Sequence, residues 1–282
     1  MLNGLEEKVN FSANLNYNLL LCYISFMDLN FNRKLAIGYK SGSQISRVVT
    51  EDWVEHNMFC PICGARILNH YEANKPVADF FCDECKSDFE LKSKESKNAN
   101  IGNKITDGAY ATMIDRITSL KNPHLFVMTY YNWAVNNLLI IPNYFFVPDI
   151  IEKRQPLKET ARRAGWIGCN IEIGKIPDSG KIFIIKNSQQ EDKFKVIDLY
   201  QRTLTLQTKR IENRGWLLDV LKCVERIPTD NFKLDDVYVF AKELKRKHPD
   251  NNYVHDKIRQ QLQYLRDKGF IKFTSRGHYQ KI

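Results

Sequence analysis

The chain has 282 residues, 43% hydrophobic and 12% aromatic, enough apolar material for one large or two smaller cores, which excludes a wholly disordered protein. No apolar stretch approaches the ~20 residues that cross a bilayer, and residues 1–7 lack the basic start of a secretory signal, so a cytoplasmic protein with no membrane partner is expected. Lys and Arg number 42 against 33 Asp and Glu, a net charge of +9 that favours a polyanionic partner such as nucleic acid.

In chain order, residues 1–26 form an Asn-rich, weakly patterned lead, expected to be an N-terminal extension. Met27 opens better-patterned sequence and is a candidate internal start. Within 43–58, Val48, Val49, Trp53 and Val54 fall at helical spacing, with Thr50 a candidate N-cap. Residues 77–81 and 89–92 read as strands. Residues 107–120 read as a helix capped by Asp107 or Thr106, with Ala109, Met113, Ile114, Ile117 and Leu120 on its apolar face. The apolar runs 125–131 and 135–141 suit buried strands, the second interrupted by Asn136 and Asn137. Residues 181–186 predict one more strand. Strands alternating with helices imply an α/β domain over 27–210. From 211 to 282 the pattern changes to helices over 215–227, 234–247 and 254–268, then a hairpin over 270–274 and 279–282. Three helices followed by a hairpin is the order of a winged helix.

Seven cysteines, with no export signal, disfavour a disulfide framework. Four of them form two C-x-x-C pairs, Cys60/Cys63 and Cys82/Cys85, eighteen residues apart. Two intervening residues let the chain turn while both sulfurs face one ion, so the four thiolates predict a closed structural Zn²⁺ site. His56 and His70 lie near enough to substitute for one ligand, but the double pair requires neither. Cys22, Cys169 and Cys223 read as core residues or idle thiols. A four-cysteine site has no open position for substrate, so catalysis must come from elsewhere.

Asp79 lies three residues before Cys82, and Glu90-Leu91-Lys92 follows Cys85 by five. If 77–81 pairs with 89–92, the knuckle is the turn of their hairpin. Glu90 and Lys92 then share a face, which Asp79 can reach from the neighbouring strand. Two carboxylates and an ammonium at one edge suit Mg²⁺, which can activate water and offset charge on a phosphate. A salt-bridged surface hairpin is the alternative for so short a pattern. The helix near Glu51 is a possible source of a fourth acid, which the residues do not assign.

The three residues resemble the motif of the PD-(D/E)XK nuclease superfamily. More narrowly, the chain from about Met27 onward resembles the DpnI-type methyl-directed restriction endonucleases. The resemblance is carried by TEDWV from Thr50, KPVADF from Lys75, FELKSK from Phe89, DGAYATM from Asp107, TARRAGWIGCN from Thr160 and IRQQLQ from Ile258. It implies a type II site-specific deoxyribonuclease: an α/β PD-(D/E)XK domain with an inserted zinc site, plus a C-terminal winged-helix domain. It further implies Asp79, Glu90 and Lys92 as catalytic residues, Mg²⁺ held by Asp79, Glu90 and Leu91, and cleavage of double-stranded 5′-GATC carrying N6-methyladenine. A monomer is expected, with both domains reading the methylated site. Residues 96–104 diverge from the pattern and form a candidate DNA-contacting loop.

For DNA reading, Lys257, Arg259, Gln260, Gln261 and Gln263 lie on the polar face of the third tail helix. Gln can pair with adenine and Arg with guanine in the major groove. Arg276, His278 and Lys281 in the wing suit phosphates. Arg162 and Arg163 join Trp166, whose indole suits an apolar methyl group or, equally, a core. Trp53 and Trp133 read as core. Two other readings remain open: a non-catalytic zinc and winged-helix DNA-binding regulator, and a PD-(D/E)XK nuclease of another specificity, such as a repair nuclease.

Overall fold

The computed structural model describes residues 27–72, 78–208 and 210–282. The expectations for residues 1–26, and for the Val77 end of the first strand, lie outside the described residues. The fold is mixed α/β, as the pattern predicts. Its main sheet has the order β1(Asn69–His70), β2(Phe80–Phe81), β3(Asp88–Glu95), β5(His124–Tyr131), β6(Ala134–Ile141), β9(Ile182–Lys186) and β10(Gln189–Gln190). Only β3 and β5 run parallel. Between them the chain forms β4(Ile105–Ala109) and helix α2(Tyr110–Thr118).

The apolar runs become β5 and β6, buried along nearly their whole length at the centre of the sheet. Their two-residue turn, Asn132-Trp133, has both φ angles in the left-handed region, the geometry that matches strand twist. Trp133 is therefore half-buried in a turn, with the Arg33 guanidinium over its ring, and Trp53 alone of the pair is a core residue. Asn136 and Asn137 do not end β6, but the β5–β6 register slips there, leaving Asn136 as the extra residue of a bulge. Both are buried and fully used: Asn136 Nδ2 donates to Ser96 O at 3.0 Å and Asn137 Nδ2 to Ala99 O at 2.7 Å. They pin the start of the divergent 96–104 loop to the sheet.

Helix α1(Gly42–Asn57) begins well before Thr50, which is mid-helix and buried. Its hydroxyl donates to Ser46 O at 2.8 Å, so it is no cap. Trp53 anchors α1, donating from Nε1 to Asp28 O at 2.6 Å. The expected helix over 107–120 starts at Tyr110, because Ile105–Ala109 extends as β4 and pairs with β8(Gly168–Ile171). β7(Ile151–Lys153) completes that second sheet, in the order β4-β8-β7. Asp107 is therefore a strand residue. Helix α3(Lys193–Leu204) packs against β9.

The C-terminal part has the expected winged-helix order: α4(Ile211–Arg226), β11(Asn231–Lys233), α5(Leu234–Tyr238), α6(Ala241–Lys247), α7(Val254–Asp267), β12(Ile271–Ser275) and β13(His278–Lys281). The single helix expected over 234–247 is two, broken at Val239-Phe240. Strand β11 adds a third strand to the hairpin, in the order β11-β13-β12. α4 grips the rest of the chain. Glu225 accepts from the backbone N–H groups of Asp178 and Ser179 at 2.5 and 3.0 Å, and Lys222 donates to Gly174 O and Ile176 O.

His124 sits in the core beside Phe89 and Tyr200, and its Nδ1 accepts from Asn143 N–H at 3.1 Å. Burial holds its pKa down to about 3. The folded state therefore keeps the ring neutral while the unfolded chain takes up a proton. Stability should be full above the ordinary His value of ~6.5 and fall by roughly 1.4 kcal/mol per pH unit between there and about 3. Urea midpoints at pH 7 and pH 5 check this, and equal midpoints would contradict it.

Candidate active site and metal centre

The four cysteines come together. Their Sγ atoms lie within 4.8 Å of one another, the one such set of three or more metal-ligand side chains among the described residues. Cys60 and Cys85 are 3.6 Å apart, as are Cys63 and Cys82. The two knuckles are built alike. Cys60 N–H donates to Ala65 O and Gly64 N–H to Cys60 O, while Cys82 N–H donates to Ser87 O and Lys86 N–H to Cys82 O. Each tightens through one left-handed residue, Gly64 at φ +81° and Lys86 at φ +57°. Burial pushes the Cys60 thiol up, and nearby Cys85 adds to that. Four sulfurs in tetrahedral reach, with Cys60 and Cys82 buried, Cys85 half-buried and Cys63 exposed, fit Zn²⁺, whose charge would favour the thiolates. His56 and His70 are engaged elsewhere, with Asp52 and Glu51.

The second knuckle is the turn between β2 and β3, which pair as Phe80↔Phe89 and Phe81↔Asp88. Beyond β2 the chain continues alongside β3. Asp79 N–H donates to Phe89 O at 2.9 Å, and the Asp79 carboxylate accepts from Leu91 N–H at 2.7 Å. Glu90 and Lys92 share a face, with Nζ 2.7 Å from Glu90 Oε1. The same ammonium is 2.5 Å from Asp107 Oδ1, and Arg116 Nη2 of α2 is 3.1 Å from Glu90 Oε2. Burial acts against the Lys92 charge, but Glu90 and Asp107 outweigh it and hold the ammonium well above its ordinary range.

Glu51 of α1 faces Asp79. Its carboxyl is pushed up by burial and by the Asp79 charge, and is eased by Arg47 and by His70, whose Nε2 lies 3.4 Å away. Two carboxylates close enough for the Asp79 charge to raise the Glu51 pKa, offset only in part by Arg47 and His70, are donor chemistry that a hard divalent cation suits. In an extended strand a residue's N–H and C=O point to the same edge, so the Leu91 carbonyl faces the Asp79 side. Asp79, Glu51 and that carbonyl fit Mg²⁺. Glu90 is one residue away and is drawn toward its two cations. The helical pattern assigned to 107–120 hid Asp107. The β-branched Ile105 and Thr106 ahead of it were the signal for a strand. Arg116 had no sequence signal beyond its charge.

The DNA-reading candidates separate. Arg162 and Arg163 are exposed on the loop between β7 and β8, and the Arg163 guanidinium lies 5.1 Å over the half-buried Trp166 ring. Leu157 N–H to Trp166 O and Gly165 N–H to Leu157 O close this loop. It leads straight into β8, where Gly168 pairs with Ala109 and Cys169 with Asp107, so it adjoins the charged cluster. On α7, Arg259, Gln260 and Gln263 are exposed and Lys257 partly so. Arg259 is tied to Asp256 and to Tyr238 Oη. Gln261 is 1% exposed, because its helical position turns it onto the core side with Ile258 and Leu262, and it is not a reading residue. Arg276 and His278 are exposed in the wing. Lys281 is not free for phosphate, since its ammonium donates to Ile227 O.

The chain is thus a mixed sheet with charged side chains gathered on β3, followed by a winged helix. The chain matches the family DpnI, described as Dam-replacing, over residues 27–209, and the family DpnI_C, described as the Dam-replacing HTH domain, over residues 212–281. It belongs to the DpnI family of restriction endonucleases.

Proposed function

We propose that the protein is a Mg²⁺-dependent type II restriction endonuclease that cleaves double-stranded DNA at 5′-GATC bearing N6-methyladenine, acting as a cytoplasmic monomer. Residues 27–210 form its nuclease domain and 211–282 its winged-helix domain. The observations that support this reading are the Asp79 carboxylate on Leu91 N–H and the Glu90–Lys92 pair on the same stretch of β3, in a chain of this family. Among the described residues no helix is long and apolar enough to cross a membrane.

Asp79, Glu51 or Glu90, and the Leu91 carbonyl would hold Mg²⁺, which supplies a more acidic water and offsets charge on the phosphate. Water oxygen bonds to phosphorus as its proton passes to solvent, the bond from phosphorus to the bridging oxygen breaks, and the departing oxygen takes a proton from solvent. Lys92, kept charged by its two carboxylates, donates to the phosphate or to the attacking water and is not the base that removes a proton.

Arg162 and Arg163 hold phosphates beside the cluster, and Trp166 supplies an apolar wall for the methyl group. Burying one methyl is worth roughly 1 kcal/mol, or about fivefold. Strong methyl dependence therefore needs a second reading surface, which Lys257, Arg259, Gln260, Gln263 and Arg276 provide. Gln263→Ala should cost ~1–3 kcal/mol of specific binding. Gln261→Ala should lower stability and leave sequence preference alone. Titration of methylated and scrambled duplexes separates the two, and the reverse outcome would contradict the placement.

The reading is tested by digesting methylated and unmethylated plasmid with Mg²⁺. Cleavage confined to methylated GATC supports it. Equal cleavage of both favours a nuclease of another specificity, and cleavage of neither favours a DNA-binding regulator.

A further inference from the structure

The charged groups along β3 form a chain of three ion pairs of alternating sign: Asp107, Lys92, Glu90, Arg116. Its two outer members come from neither β2 nor β3. Asp107 is on β4 of the second sheet, and its side chain is 6% exposed. Arg116 is on α2, with its side chain 14% exposed and also reaching Met113 Sδ at 3.7 Å. The β4–β8 pairing slips between Asp107 and Ala109. Such a bulge re-aims a side chain, and bulges concentrate beside active sites. Here the extra residue is Gly108, and the residue just before it is the carboxylate that meets Lys92 Nζ.

Lys92 has a long, freely rotating stem, and Glu90 alone, two residues away on the same strand, would leave the ammonium a wide arc. A second carboxylate from another sheet fixes it at one point. Arg116 acts likewise on Glu90, occupying the oxygen that Lys92 does not. With the quartet formally neutral, Asp79 and Glu51 are left outside it as a carboxylate pair, offset in part by Arg47 and His70.

We propose that Asp107 and Arg116 are positioning residues of the nuclease, clamping Lys92 and Glu90 from outside the β2–β3 hairpin so that the ammonium and carboxylate meet the scissile phosphate in a fixed geometry. This rests on the nuclease reading above. The clamp also lies on the path from the Arg162–Trp166 loop, since β8 continues directly from that loop and pairs with β4 at Asp107.

Steady-state cleavage of methylated plasmid by full-length Asp107→Asn, Asp107→Glu and Arg116→Lys tests the proposal. Duplex affinity in Ca²⁺ and melting temperature are measured on the same samples. Misplacing a reacting group by about 1 Å can cost ~10²-fold in rate. Asp107→Asn should therefore lose about that factor in kcat, with KM and duplex affinity within about twofold of wild type. Asp107→Glu should recover most of the loss. Arg116→Lys should show the same split of kcat against KM, and it decides the matter if Asp107→Asn melts below the assay temperature. Wild-type kcat in both variants, or a loss appearing in KM and affinity instead, would overturn the clamp while leaving the nuclease reading intact. A wild-type protein that cuts no DNA would overturn both.

Discussion

Asp79→Ala should lose at least about 10³-fold in cleavage rate while its binding to methylated duplex remains measurable. A metal's stabilisation of a phosphoryl transition state is worth several kcal/mol, and each 1.36 kcal/mol is tenfold. Asp79 is the carboxylate that crosses from the β2 side to the open edge of β3. Its removal takes away both the cation's charge partner and the acceptor for Leu91 N–H. The second loss alone would destabilise by only ~1 kcal/mol. Asp79→Asn, which can keep that hydrogen bond, should be nearly as inactive as the alanine variant, separating charge from structure. Substantial cleavage by either variant would refute the site assignment.

Loss of zinc should have the largest effect on stability. Structural Zn²⁺ in small four-ligand sites contributes apparent free energies of ~10–16 kcal/mol, comparable with the ~5–15 kcal/mol that holds a whole domain folded. Cys82→Ser should bind less than one zinc per chain and lower the melting temperature by more than about 10 °C. Cys82 lies three residues from Asp79, so the knuckle also sets the register that brings Asp79 to Leu91. EDTA should therefore act in two phases: cleavage stops at once as exchangeable Mg²⁺ is removed, and the protein unfolds later as thiolate-bound zinc leaves. Metal analysis finding no zinc, or an unchanged melting temperature for Cys82→Ser, would contradict this.

The sequence made the knuckles, the β2–β3 hairpin and the winged-helix order readable because each is a local pattern. Cysteine spacing, period-two strands and helical periodicity are all set within about twenty residues. What it hid depends on contacts between distant elements. Asp107 looked like a cap because the apolar positions after it have helical spacing, and only pairing with β8, some sixty residues later, draws 105–109 into a strand. Asn136 and Asn137 looked like interruptions because their partners, the carbonyls of Ser96 and Ala99, belong to another strand's exit loop. Gln261 looked exposed because its side chain is polar, although it lies three residues after Ile258 and four before Leu265, on the stripe that helical spacing turns to the core. Lys281 looked free in the wing, yet its long stem lets it cap the carbonyl of Ile227 at the end of α4.

The most direct measurement is a crystal structure of the full chain with methylated GATC duplex and Ca²⁺, an ion that can occupy a Mg²⁺ site without supporting turnover. An ion should lie ~2.3–2.6 Å from an Asp79 oxygen and the Leu91 carbonyl, with the scissile phosphate beside it and Lys92 Nζ in hydrogen-bond reach. A duplex seated away from the edge of β3, with no ion at Asp79, would contradict it.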